Sequence, residues 1–249
     1  NQLYLDAVIQ NGREEHESRA LVELVDRSRL KEPVIMIADR GYEAYNNIAH
    51  IEQKNWNYLI RAKEKRGILS GLKLPDTPEF DVAFSYFLSK RLTNRIRREP
   101  QKYRWIPSKV RFDYIKNASD ALYPISFRVV RFAVKDGLYE TVITNLPADR
   151  FPPPLLRVLY HKRWGIETSF RDLKHTLALT HFHAKKRPFI EQEIFAKMTH
   201  YNFAALFHLQ NVFTQPKGRH LCRINATFAT HIAREFLLGF VPAAIVEPL

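Results

Sequence analysis

VIMIADRGY, residues 34–42, opens with a short continuous apolar run, the pattern of a strand buried on both faces. Pro33 breaks the chain before it, and Asp39 stands at its carboxyl end. Upstream, residues 14–29 (EEHESRALVELVDRSR) place Ala20, Leu21, Leu24, Val25 and Ser28 at helical spacing, with acids early and Arg late as the helix dipole prefers. Residues 1–10 (NQLYLDAVIQ) alternate apolar and polar side chains and predict a strand. Downstream, a helix around 43–53 precedes WNYLIRAK at 56–63, a further strand. Strand, helix, strand, helix, strand predicts an α/β sheet with parallel crossovers, in which sites form at the carboxyl ends of strands. Asp39 occupies such an end. Helix capping is the competing reading of that one residue.

From about 64 to 145 the pattern changes to short β segments. DVAFSYF is one; ISFRVVRFAV and LYETVITNL are two more, joined at Asp136-Gly137, a strong hairpin signal. This stretch reads as a β-rich insertion within the α/β domain. Between Lys90 and Lys116 it holds ten Lys/Arg and only two acids, Glu99 and Asp113, with Tyr103, Trp105, Phe112 and Tyr114 interleaved. Cations that neutralise phosphates beside rings that stack on bases suit a DNA-contacting surface. Trp105, lying among Arg104, Lys109 and Arg111, is the candidate for stacking on an unpaired base, with core packing as its alternative. A solvated basic hairpin is the alternative for the stretch as a whole.

The remainder reads as helical. Pro152, Pro153 and Pro154 suit a helix start, and one helix is expected from there to about Leu177. On it Tyr160, Arg163, Glu167 and Lys174 fall within roughly a 60° arc at about 100° per residue. Leu159, Ile166, Phe170 and Leu173 take the adjoining arc and are expected to anchor the helix to the core. Read as physics alone, the polar stripe is a solvated face with one i,i+4 pair, Arg163 and Glu167, contributing about 0.3–0.5 kcal/mol. Two more apolar-periodic stretches, 189–210 and 224–239, either pack on the core or contribute to a homodimer.

Composition narrows the function classes. The 249 residues carry 39 Lys+Arg against 26 Asp+Glu, a net charge of +13 that favours a polyanionic partner, with nucleic acid first. Cys222 is the only cysteine, which excludes an intrachain disulfide or a cysteine zinc cluster and fits a reducing cytoplasm. No apolar run approaches the ~18 residues of a membrane span, so a soluble protein is expected. His181 and His183 form an H-x-H pair with no third ligand nearby in sequence, and read as hydrogen-bonding or DNA-facing residues.

The stripe YHKRWGIETSFRDLK at 160–174 resembles the Tyr-Arg-Glu-Lys signature of the DDE transposases of bacterial insertion sequences. TNLP before the helix, Arg163-Trp164 with Ile166-Glu167, and ADRGY at 38–42 extend the likeness, which covers about residues 3–205. The resemblance implies a ribonuclease H-like core, N-terminally incomplete, with the β-rich insertion lying between the second Asp and the Glu helix. It divides the chain into 1–63 and 146–210 as the two parts of that core, 64–145 as the insertion and 211–249 as a C-terminal helical segment. It implies metal-dependent cleavage and transfer of DNA strands by a bacterial, nucleoid-associated cytoplasmic enzyme. Two magnesium ions, with manganese as a substitute, would be held by three carboxylates, Asp39 as the second and Glu167 as the third. Tyr160, Arg163 and Lys174 would hold double-stranded DNA at the transposon end, in a complex that admits a homodimer, before transfer to target DNA.

The chain departs from that pattern at its start. Asp6 and Asp39 are separated by one helix and half of each flanking strand, so Asp6 is expected on the third strand, facing solvent, and not to be a ligand. The first carboxylate is then expected upstream of Asn1, and an isolated fragment of this kind is expected to bind metal weakly and to be unable to cut. Two other readings stay open: a catalytically inactive DNA-binding remnant, and a basic structural protein with an incidental stripe.

Overall fold

The structure, a computed structural model, describes residues 3–12, 16–64, 66–210, 212–214, 221–223 and 226–242. The parts of the sequence expectations that fall on 1–2, 13–15, 65, 211, 215–220, 224–225 and 243–249 lie outside the described residues. The chain divides into two compact units, Gln10–Arg163 and a second formed by Asn1–Ile9 with Trp164–Leu249.

The first unit runs α1 (Glu17–Arg27), β1 (Ile35–Ala38), a 3-10 turn at Arg40–Tyr42, α2 (Tyr45–Gln53), β2 (Asn57–Arg61) and a second 3-10 turn at Gly67–Leu69. It continues with β3 (Phe80–Ser89), α3 (Asn94–Arg98), β4 (Tyr103–Trp105), β5 (Leu122–Lys135), β6 (Leu138–Thr144) and α4 (Pro153–His161). Its six strands form one sheet in the order β1-β2-β6-β5-β3-β4. β1 and β2 are parallel, as are β3 and β4; the other pairs are antiparallel. The class is thus mixed α/β, and segment 64–145 supplies four strands of the same sheet that β1 and β2 begin.

The period of two along the central strands builds a core on each face. Tyr58 and Ile60 of β2, Val129 of β5 and Ile143 of β6 point to one side, against Leu21 and Val25 of α1 and Ile48 and Ile51 of α2. Leu59, Val130 and Val142, one residue out of phase, point to the other, against Leu156 and Tyr160 of α4. Gly137, at φ +72°, makes the β5–β6 turn with Asp136, as the sequence predicts. Arg128 of β5 is only 8% exposed and fastens this arrangement. Its Nε donates to Asp81 Oδ1 at 3.0 Å, its Nη2 meets Asp81 Oδ2, and its Nη1 donates to the Leu146 carbonyl at 2.6 Å. It therefore ties β3 to the segment that leads into α4.

The basic stretch is not a hairpin. It folds into α3, the short β4 alongside β3, and a loop over the α1–α2 face. Most of its aromatic rings are internal: Tyr103 and Phe112 are buried, and Phe112 meets Tyr114 and Tyr123 edge-on at 5.8 and 5.2 Å. Several of its cations serve the fold as well. Lys90 is buried and donates to the Pro107 and Val110 carbonyls, while Arg111 Nε donates to Asp113, which also meets His50 Nε2 at 3.0 Å. That arginine, helped by Asn46 and His50, holds the Asp113 carboxyl well below the usual range despite its partial burial.

The second unit contains α5 (Trp164–His175), α6 (Arg187–Gln210), β7 (Val212–Thr214), β8 (Leu221–Arg223) and α7 (Ala226–Leu237), with β7 and β8 antiparallel. Two sequence expectations are corrected here. Residues 3–10 are not a strand: the Tyr4 backbone is satisfied by the side-chain amide of Asn202, which accepts from Tyr4 N at 2.7 Å and donates to Tyr4 O at 2.6 Å. Asp6 is exposed as expected but lies off any strand, its Oδ1 accepting from Ala7 N. Nor is the segment from Pro152 to Leu177 one helix. At Lys162 and Arg163 the backbone bonds tighten to i→i−3, reaching Leu159 and Tyr160, and α5 starts afresh at Trp164. Gly165 weakens any continuation by about 1 kcal/mol. The stripe is therefore shared between two helices, and Ile166 and Phe170, expected as anchors, are exposed, leaving Leu173 buried.

Two stability measurements follow from these contacts. Arg128→Met leaves Asp81 and two carbonyls without their partner, and chemical denaturation is expected to show a loss of about 3 kcal/mol. Glu52, partly buried at the end of α2 beside the Tyr58 hydroxyl 3.4 Å away, is raised by burial to about 7. Its unfolded counterpart ionises near 4.3, so its contribution to stability is full below that pH and is lost as pH rises through about 7. Glu52→Gln is expected to raise Tm at pH 8 and to leave it nearly unchanged at pH 4.

Candidate active site and nucleic-acid interface

The parallel register sets Ala38 beside Ile60, so the next residues, Asp39 and Arg61, leave the same end of the sheet side by side. β6 flanks β2 on its other side and brings Glu140, whose Oε1 lies 3.6 Å from Arg61 Nη1. Above them α4 buries Tyr160 to 2% exposure, and Arg163, just past the helix, holds its guanidinium 5.8 Å from the centre of the Tyr160 ring. Burial pushes the Tyr160 phenol up to about 12; the nearby Arg163 and Arg61 oppose that rise, and Asp39 and Glu140 add to it. Side chains from β1, β2, β6 and α4 thus act on one buried phenol.

Asp39 takes the N-cap position of the first 3-10 turn, yet its side chain makes no capping bond, which removes the competing explanation for that residue. Its Oδ1 is buried with no hydrogen-bond partner, and so is the Tyr160 hydroxyl. A buried carboxylate oxygen left unpaired costs stability unless something else satisfies it. A hard oxygen at a strand end suits a divalent cation such as magnesium, so Asp39 fits one ligand position. Among the described residues no group of three His, Cys, Asp or Glu is placed to hold an ion.

The structure brings Asp39, Tyr160 and Arg163 together in the first unit. Glu167, in the first turn of α5, and Lys174, in its last, are exposed and belong to the second, the division falling between Arg163 and Trp164. Trp105 ends β4 with 44% of its surface exposed, as a stacking residue requires. Arg104 is directed inward: its guanidinium lies 4.9 Å over the Tyr86 ring and donates to the Ser70 carbonyl at 2.8 Å. His181 and His183 lie in a loop, whose 183 and 184 backbone amides donate to Glu193 of α6.

Sequence reasoning missed a basic cleft of about 400 Å³ beside Asp39. Arg40, Arg61, Lys63 and Arg66 line it, with Glu64 and Glu140 as its acids. The missed signal was the rule that singled out Asp39: Arg61 also sits at the carboxyl end of a parallel strand. Four cations converging on one concavity suit a phosphate backbone.

Tyr160 allows a direct check that its hydroxyl is not there for the fold. Removing a buried, unpartnered hydroxyl relieves a cost of about 1 kcal/mol or more, so Tyr160→Phe is expected to hold or raise Tm. A marked fall in Tm would show the hydroxyl to be a structural group.

No curated protein matches the chain. Residues 1–203 match the family model described as Transposase DDE domain, a match that spans both halves of the divided stripe and most of the sequence. The chain therefore belongs to the family of transposase DDE domains.

Proposed function

We propose that this chain forms part of the catalytic core for metal-dependent cleavage and transfer of double-stranded DNA in the transposition of a bacterial insertion sequence, on a ribonuclease H-like fold in which 64–145 is the insertion and a third carboxylate completes the site. Transposition-related DNA chemistry follows from the family. The observation that carries the finer reading is the Asp39 carboxylate at the carboxyl end of β1, one oxygen of which is buried without a hydrogen-bond partner. In this reading Asp39 and Glu167 ligate the same pair of magnesium ions, which manganese can replace. Bound there, such ions activate the attacking oxygen and neutralise charge on the leaving one.

The chain's own groups do the rest. Arg163 and Lys174 hold phosphates of the transposon end, Arg163 as a fork and Lys174 as a point charge. Tyr160 offers a neutral hydroxyl, since its proton stays on far above physiological pH. Arg61, Lys63 and Arg66 guide the backbone past Asp39, and exposed Trp105 stacks on an unpaired base. A second reading, a DNA-binding member that does no chemistry, draws on the absence of a three-ligand group among the described residues.

Manganese binding followed by electron paramagnetic resonance separates the two. Asp39→Asn and Glu167→Gln are each expected to weaken manganese binding by tenfold or more, about 1.4 kcal/mol, with Tm unchanged. Wild-type affinity retained by both variants would remove the shared metal site and leave the DNA-binding reading.

A further inference from the structure

Glu43 is a carboxylate that the proposed chemistry does not use, yet it is buried to 6% exposure only four residues after Asp39. Its Oε2 accepts from Lys63 N at 2.6 Å and its Oε1 from Ile68 N at 2.6 Å, and the Leu69 backbone adds a further bond. Burial pushes its carboxyl up, and those three amides with the Lys63 charge pull it back. The two short bonds close both ends of the loop that follows β2. That loop carries Lys63, Glu64 and Arg66 into the basic cleft. Gly67 completes the fit: it sits at φ +63°, and a Cβ there would come within 2.5 Å of Glu43 Oε1.

We infer that Glu43 is a positioning residue for DNA, a strap by which the segment that follows Asp39 holds the backbone presenting Lys63 and Arg66 to the cleft, where both meet backbone phosphates. The inference depends on the reading of the cleft as a DNA-contacting surface. A carboxylate is required because both of its oxygens must accept. An amide in its place turns one acceptor into a donor facing a backbone N–H, which opens one end of the loop while keeping side-chain volume.

The test is binding of a fluorescent duplex oligonucleotide to the full chain across a salt series, with Tm measured alongside. Lys63→Gln with Arg66→Gln is expected to flatten the plot of log affinity against log salt by about 1.8, two phosphate contacts at about 0.9 each. An unchanged slope in that pair would sink the cleft reading itself, whatever Glu43 does. Glu43→Gln is expected to flatten the slope by about 0.9 and to weaken binding about eightfold at 0.1 M salt. Added to the Lys63/Arg66 pair, it is expected to change the slope no further.

If the paired variant responds and Glu43→Gln leaves the slope at the wild-type value while lowering Tm, Glu43 merely supports the fold and the inference fails. Gly67→Ala attacks the same strap from the other side and should reproduce the slope change; it decides the matter if Glu43→Gln does not fold. Failure of both to fold would show the strap to be needed for the fold itself and would overturn the positioning role.

Discussion

Parallel pairing of β1 with β2 is the constraint from which the candidate site follows. With Ala38 beside Ile60, the next residue of each strand must emerge at the same edge of the sheet, which sets a carboxylate and a guanidinium as neighbours. The antiparallel return of β6 then adds Glu140 next to Arg61, and the out-of-phase residues Leu59, Val130 and Val142 supply the apolar bed on which α4 lays Tyr160. A register slip of one residue in β2 would exchange the two faces, send Leu59 to the wrong core and separate Asp39 from Arg61. Packing and site geometry are therefore fixed by the same hydrogen bonds.

Within that frame the pairing of charges is selective. Arg61 is balanced by Glu140, and the Arg163 guanidinium lies over the Tyr160 ring. Asp39 lies within electrostatic reach of the same phenol, yet one of its oxygens is buried with no partner. Proteins rarely tolerate such an atom in the interior. The neighbouring helical turn could have satisfied it by capping and does not. That one buried oxygen without a partner is the feature on which the proposed metal-binding role of Asp39 rests.

How much of this was legible in the sequence depends on the range of the interaction that fixes each part. The apolar run 34–38, the amphipathic pattern of 14–29 and Asp136-Gly137 encode local structure: β1 and the β5–β6 turn appear where they predict, and α1 occupies Glu17–Arg27 within the predicted stretch. Asp39 could be picked out because the end of an apolar run is itself a local signal, even though β1 ends the sheet with Ile35, Met36 and Ile37 only partly buried and not covered on both faces as the run suggests. The first ten residues misled because alternation marks a half-buried extended chain without saying what will bond its backbone; the partner is an asparagine side chain 198 positions away. The break at Lys162 was hidden because apolar periodicity runs straight through it, and only the switch to i→i−3 bonds reveals it. Aromatic residues in the basic stretch were legible as rings and illegible as buried or exposed, since a face of the sheet decides that.

The distribution of positive charge shows why composition alone says little about where DNA would lie. A net charge of +13 favours a polyanionic partner, but the densest basic stretch sends Lys90, Arg104 and Arg111 into carbonyls, a tyrosine ring and a carboxylate. Cations held in this way already have their compensation, and a phosphate would have to compete for them. Around the cleft the balance is different: four cations face two acids, and the backbone that presents Lys63 and Arg66 is held by a buried carboxylate, leaving their side chains to the cleft. Arg61 meets Glu140 at 3.6 Å, so Lys63 and Arg66 are the cations on which a phosphate contact would draw most directly. Under the proposed function this smaller cluster lies where contact with DNA would serve the chemistry at Asp39, whereas the longer basic run that first draws attention in the sequence spends part of its charge on the fold.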